Sequence, residues 1–174
     1  MKNAILVQGI GLVGTSLLFA SYQCKSNKNL FRVQLLSYFF YTIHLLLLGA
    51  ITGGSSYIIN TLRSFCLGSK WKFAQGKVMC IMICLLQIVA LTFTWSGWIS
   101  VLPVAANIAA TIGGYTHNAR TVRVVGMCVN SPLWIIYDII VGSWAGILDE
   151  IVTECSIIIS IARYGWKNLD QIKG

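Results

Sequence analysis

The sequence predicts an all-α polytopic membrane bundle, with seven transmembrane helices arranged as two parallel three-helix repeats around a linker helix. Three observations predict it. Apolar residues make up 56% of the chain and charged ones 10%, with a mean hydropathy of +0.74; a soluble domain is roughly a quarter charged. The apolar residues fall into successive runs close to the roughly 17–25 residues that a spanning helix needs. The short connections between them alternate between basic and uncharged, as short loops do on the two sides of a membrane. With 13 basic and 5 acidic side chains, the chain has too little charge to cover a water-facing surface, and too much apolar surface to be disordered.

The spans follow in order. Residues 4–22 form the first: one lysine precedes a long apolar run, as in a signal peptide, but no small-x-small cleavage site follows, so the span is retained. The others are read at about 32–51, 54–69, 78–96, 98–116, 123–142 and 146–164. Lys25, Lys28 and Arg32 lie at the first connection, Lys70, Lys72 and Lys77 at the third, Arg120 and Arg123 at the fifth, and Arg163, Lys167 and Lys173 at the end. The intervening connections, at residues 52–56, around Trp95–Trp98 and at 142–146, carry no charge. Placing the basic loops inside puts the amino terminus outside and the carboxyl terminus in the cytoplasm, with only Lys2 on the outer side. Arg63 is expected to snorkel to the inner interface. Trp95, Trp98 and Trp144 fall at the outer interface, and Trp71, Trp166 and Tyr164 at the inner one, as aromatic belts do.

The net charge of +8 is therefore a topology signal and does not point to nucleic acid. The partners expected are the lipid bilayer and a small solute of unknown identity; a homo-oligomer is compatible. The six cysteines, Cys24, Cys66, Cys80, Cys84, Cys128 and Cys155, contain no CxxC and no Cys/His zinc spacing, so no metal or cofactor is expected and the thiols read as small apolar filler. Gly9, Gly11 and Gly14 spell GxGxxG, but inside an apolar span, where they allow close helix approach and form no nucleotide fingerprint. Met79, Cys80, Met82 and Cys84 read as lipid-facing or packing residues.

The chain repeats at an offset of 93 residues. Tyr22 falls on Tyr115, Gly49 on Gly142, Gly53 on Gly146, Tyr41 on Trp134, His44 on Tyr137, Lys70 on Arg163 and Trp71 on Tyr164. Repeat one covers about 4–69 and repeat two about 98–164, with the linker helix at about 78–96. Three spans reverse the orientation of a unit and the linker restores it, so the units lie parallel and a site between them would sit near the midplane.

The segment from His44 through Gly49-Ala50-Ile51-Thr52-Gly53-Gly54, followed by Ile59-Asn60-Thr61-Leu62-Arg63, resembles the YgjV family of bacterial inner membrane proteins. The first span ending in Ser21-Tyr22-Gln23 fits that resemblance too. The 3+1+3 order is similar to the SWEET sugar facilitators and the PnuC vitamin transporters. In SWEET-like proteins an Asn on the third span of a unit contacts substrate, and Asn60 matches that role by position. The chain departs from the SWEET Pro-Gln, with Tyr22-Gln23 and Tyr115-Thr116 in its place, and Pro132 offers a different bend.

Polar side chains inside spans are costly and are functional candidates by default. Tyr41, His44, Asn60, Asn107, Trp134, Asp138 and Glu154 are the expected substrate-binding residues, with Thr61 and Tyr137 beside them. By helix rise, Asp138 lies ~6 Å, Asn60 ~9 Å, His44 ~10 Å and Glu154 ~12 Å below the outer surface, and Tyr41, Asn107 and Trp134 lie near the midplane. Aromatic faces stack on rings, and Asn, Thr and Glu supply donors and acceptors. Bland roles fit as well: the amides and Thr61 as interhelical hydrogen bonds, His44 as a packing residue, and Asp138 as a solvated group near the surface. Glu154 is the strongest functional candidate, because a carboxylate that deep needs a partner or water. Asp149 and Glu150 are expected to be ordinary interfacial charges. The GxxxG pairs Gly49/Gly53 and Gly142/Gly146 are expected to terminate helices.

The function expected is transport or facilitation of a small polar ring-containing solute by alternating access; the alternative is an accessory or structural membrane protein. An enzyme is not expected: the two histidines, His44 and His117, lie near opposite ends, and neither HExxH nor GxSxG occurs.

Overall fold

The computed structural model describes residues 2–24 and 26–166, and side chains from residue 5 onward. Lys25, Lys167 and Lys173, three of the basic residues used to orient the chain, lie outside the described residues. The described chain is all-helical: α1 Lys2–Tyr22, α2 Asn27–Leu47, α3 Ile51–Gly68, α4 Lys77–Thr94, α5 Val101–Tyr115, α6 Ala119–Val125, α7 Ser131–Val141 and α8 Trp144–Tyr164. A 3-10 turn, Trp98–Ser100, leads into α5, and a π-helical segment, Gly126–Asn130, joins α6 to α7 in one rod.

Five of these rods are long and apolar enough to cross a membrane: Ile5–Tyr22, Asn27–Leu47, Lys77–Thr94, Trp98–Tyr115 and Ala119–Val141. The other two, α3 and α8, are the third helices of the two units and carry the polar residues. Their interiors match position by position. Gly53, Ser56, Tyr57, Asn60, Arg63, Ser64 and Leu67 are buried on α3, and Gly146, Asp149, Glu150, Thr153, Ser156, Ile157 and Ser160 on α8, each pair 93 residues apart. Spacings of three and four residues keep each set on one helix face.

The helices close into a ring in the order α1, α2, α3, α5, α6–α7 and α8, with α8 packed on α1, while α4 braces α3 and α5 from outside. The third helix of each unit thus meets the first helix of the other. Most of α4 faces outward: Ile81, Leu85, Ile88, Val89 and Phe93 are exposed, as a lipid-facing helix requires. Met82 is exposed as well, and the six cysteines are all free. Five tryptophans are exposed close to helix ends, and only Trp134 is buried.

The turns explain where the helices end. Gly49 and Gly142 adopt φ of 75° and 73°, a left-handed conformation that glycine enters without the Cβ penalty. After each, the next amide reaches back five residues, Ala50 N–H to the Leu45 carbonyl and Ser143 N–H to the Asp138 carbonyl, both at 2.9 Å. The second glycine of each GxxxG pair does not terminate anything. Gly53 and Gly146 lie inside α3 and α8, where a Cβ would strike the Tyr137 hydroxyl at 2.8 Å and overlap the Asp138 carboxyl, respectively. The turn expected at residues 52–56 is therefore the first part of α3. The segment before Pro132 is the irregular stretch of its span. Proline supplies no N–H to the preceding turn, and the helix opens there into the π segment.

Candidate functional site

The middle of the ring holds a chain of aromatic rings. Tyr57 of α3 is at its centre: its ring lies 5.2 Å from Tyr41, stacked at 19°, 5.4 Å from Tyr38 and 4.7 Å from Trp134. Trp134 continues edge-on to Tyr137 at 5.5 Å. These rings come from α2, α3 and α7, so both three-helix units contribute. Tyr38 and Tyr57, which complete the chain, were not singled out in the sequence. They lie three residues before Tyr41 and three before Asn60, the helical spacing that places them on the same faces.

Polar groups surround the rings. Asn60 Nδ2 donates to Asn107 Oδ1 at 2.7 Å, and Trp134 Nε1 donates to the same oxygen at 3.3 Å. Trp offers only a donor, so Asn107 must present its oxygen there, and both amide orientations follow. This leaves Asn107 Nδ2 and Asn60 Oδ1 buried and unbonded. One turn further along α3, Arg63 is 3% exposed. Its Nη2 donates to the Tyr38 hydroxyl at 3.1 Å, its guanidinium stacks over that ring, and its Nε and Nη1 meet no partner. The snorkelling expected for Arg63 is thus corrected. It sits on the interior stripe of α3, whose phase turns it toward α2 and away from the membrane surface.

Asp149 and Glu150 are corrected in the same way. They are 1% and 2% exposed, because they lie three and four residues after Gly146 on the interior face of α8. Asp149 lies beside Thr15 and Tyr41, and neither of its oxygens closes a hydrogen bond. Glu150 faces Ser131, and its Oε2 is unbonded. Thr153 Oγ1, one turn on, is buried and unbonded too. An unpaired buried polar group costs about 1–3 kcal/mol, more if charged, so this many in one interior call for water or a polar solute beside them.

Tyr41 belongs to the aromatic chain, whereas His44, Asp138 and Glu154 lie around it. His44 is fully occupied: Nδ1 donates to the Val7 carbonyl and Nε2 accepts from Ser143 Oγ, each at 2.9 Å. Tyr41 lies 2.7 Å from Thr15 Oγ1 and donates to the Ala145 carbonyl at 3.2 Å. Asp138 is buried rather than solvated, packed on Gly146 beside the Ser143 hydroxyl. Glu154 is partly exposed at the edge of the interior face and turns toward Ser131, with Oε1 unbonded. Arg123, expected at a basic loop, is buried and donates to Ser160 Oγ at 3.1 Å.

A family model for bacterial inner membrane proteins, Imp-YgjV, matches residues 5–168. The chain belongs to that family. No curated protein and no solved structure matches it. This YgjV-family chain is therefore an integral inner membrane protein. Its two unit seams differ. At α1 and α8 the seam is stitched along its length: Gln8 Oε1 accepts from Ala145 N–H, Ser156 donates to the Phe19 carbonyl, Gln23 donates to Ser156, and Tyr164 donates to the Gln23 carbonyl. Between α3 and the second unit, Asn60 donates to Asn107 of α5, Thr52 reaches Ser100 just before α5, and Gly53 N–H donates to the Tyr137 hydroxyl of α7.

Proposed function

We propose that the protein moves a small polar, ring-bearing solute across the inner membrane by alternating access between its two three-helix units, without transforming it. The observation that carries this reading is the interior itself. Both third helices turn their polar face inward, around stacked aromatic rings, and leave donors and acceptors of Asn60, Asn107, Arg63, Asp149 and Glu150 unbonded. A bundle that only had to stand in lipid would be better served by apolar packing, since lone buried polar groups destabilise it. Aromatic faces with a few convergent polar atoms are what small ring-bearing solutes require.

In this reading the basic connections face the cytoplasm and the glycine turns face outward. Parallel units with a pseudo-two-fold axis along the membrane normal would rock about the midplane site. The matched interior positions at an offset of 93 residues, and the matched Gly49 and Gly142 turns, support that construction.

The test is thermal unfolding of the detergent-purified protein against sugars, nucleosides, vitamins and small amines, followed by uptake of any hit into proteoliposomes. A ligand at a hundredfold excess over Kd stabilises by about 2.7 kcal/mol. One class should raise Tm, enter the vesicles, and lose both effects in Trp134→Leu. A panel without a stabilising class, together with vesicles no leakier than protein-free ones, would overturn the reading.

A further inference from the structure

We infer that the solute is recognised through an amide edge, as in a ring carboxamide, a lactam or an imide, bound across the seam between the two units by Asn60 of α3 and Asn107 of α5. This rests on the transport reading above and narrows it.

The argument is one of donors and acceptors. Asn107 Oδ1 already receives Asn60 Nδ2 and Trp134 Nε1. Both lone pairs of that oxygen are therefore used; Asn107 cannot flip without setting Trp134 N–H against another N–H, and Asn60 cannot flip alone without setting its oxygen against Asn107 Oδ1. What remains is one free acceptor, Asn60 Oδ1, and one free donor group, Asn107 Nδ2, both in residues that are at least nine-tenths buried. The two do not bond each other, so the pair is open. A solute amide completes it, its carbonyl accepting from Asn107 Nδ2 and its N–H donating to Asn60 Oδ1. A carboxylate or ester offers acceptors alone and sets a lone pair against Asn60 Oδ1. The rings of Trp134 and Tyr57, 4.7 Å apart and adjoining the amides in the fold, supply apolar surface for a planar ring carrying that group.

The matching place at the other seam is closed. Ninety-three residues before Asn107 stands Gly14, and a Cβ there would meet the Tyr41 ring at 2.6 Å; Tyr41 in turn matches Trp134. Where α5 carries an amide, α1 carries nothing, and the aromatic ring fills the space. Thr153 stands for Asn60. The amide pair thus exists once, and the site is one-sided.

The test uses the full chain in detergent and matched probes: benzamide, 2-pyridone and uracil against methyl benzoate, benzoate and benzyl alcohol, with glucose added. Apparent Kd is read from thermal shifts over a concentration series. Sites built to hydrogen-bond a group discriminate strongly against analogues that lack it, so the amide probes should bind about tenfold or more tightly than their ester and acid partners. Asn107→Asp keeps the size, replaces the free donor by an acceptor and should remove the preference. The matched probes on the unaltered protein give the answer even if that variant does not fold. Equal binding of benzyl alcohol or glucose would overturn the inference, since a hydroxyl or a water then suffices. Binding and uptake of a solute without an amide edge would overturn it too, leaving transport intact. Failure of every probe, with no uptake of any solute in the wider panel, would remove both.

Discussion

His44 is the clearest case at the residue scale of a functional-looking side chain with a structural task. Both ring nitrogens are bonded, one to α1 through the Val7 carbonyl and one to Ser143 at the start of α8. His44→Ala should lower stability by roughly 2–4 kcal/mol, from a cavity and two lost bonds, while the affinity for any solute stays the same. Chemical denaturation and a ligand titration on one sample check this; lost affinity at full stability would place His44 in the site. Glycines divide in the same manner. Gly14 lies against the Tyr41 ring, and Gly9 has nothing within 4 Å. Gly14→Ala should cost about 1–3 kcal/mol by overpacking, and Gly9→Ala should be neutral or slightly stabilising, given the better helix propensity of alanine. Parallel melting curves separate the two. Equal effects would mean that the glycines of α1 do not act through packing.

At the element scale, the third helices and the π segment need different explanations. Thr61 and Glu154, 93 residues apart, are polar candidates in the sequence, but both sit one residue past the interior stripe and are partly exposed. The stripe itself runs through Asn60 and Thr153, and through Tyr57 and Glu150. Depth along a helix could be counted from its end, whereas facing depends on rotation about the axis, and 100° per residue makes an error of one decisive. The π segment Gly126–Asn130 ends just before Ser131 and Pro132. Such bulges recur at functional sites, and here the segment adjoins Ser131, which faces Glu150 and Glu154. Pro132→Ala restores an N–H to that turn. Hydrogen exchange at residues 126–130 should then slow, measured by mass spectrometry in detergent. Unchanged exchange would mean that the neighbouring helices, and not the proline, hold the segment open.

At the scale of the whole molecule, the ring brings α1 against α8 and α3 against α5, and only this closure makes a shared interior. It also fixes which loops share a side. If the basic end is cytoplasmic, Lys72→Cys in a cysteine-free background should react with a membrane-impermeant maleimide only in inside-out vesicles. Trp98→Cys should react only in right-side-out vesicles. The reverse pattern would invert the topology. Lys72 and Trp98 lie in connections on either side of α4, and Trp98 is exposed, so both sites suit the assay.

Composition and run length by themselves determined the class of this protein, a membrane bundle of helices, and the motif from His44 to Arg63 carried its resemblance to the YgjV family. The periodic return of glycines and basic residues marked its turns. These are local properties: a run of apolar residues must span, and a residue that reaches positive φ must end a helix, whatever lies beside it. Asn60, Asn107, Tyr41 and Trp134 were legible as interior candidates for the same reason, since polar or amphipathic residues in an apolar run stand out. Only the tertiary structure decided which of them meet. Asn60 and Asn107 touch because α3 packs on α5. Both ring nitrogens of His44 are engaged by Val7 and Ser143. Arg63, Asp149 and Glu150, which read as interfacial charges near span ends, are turned inward by the phase of α3 and α8. Contacts between distant parts of the chain are set by helix rotation and packing, and neither is written in the order of residues along one span.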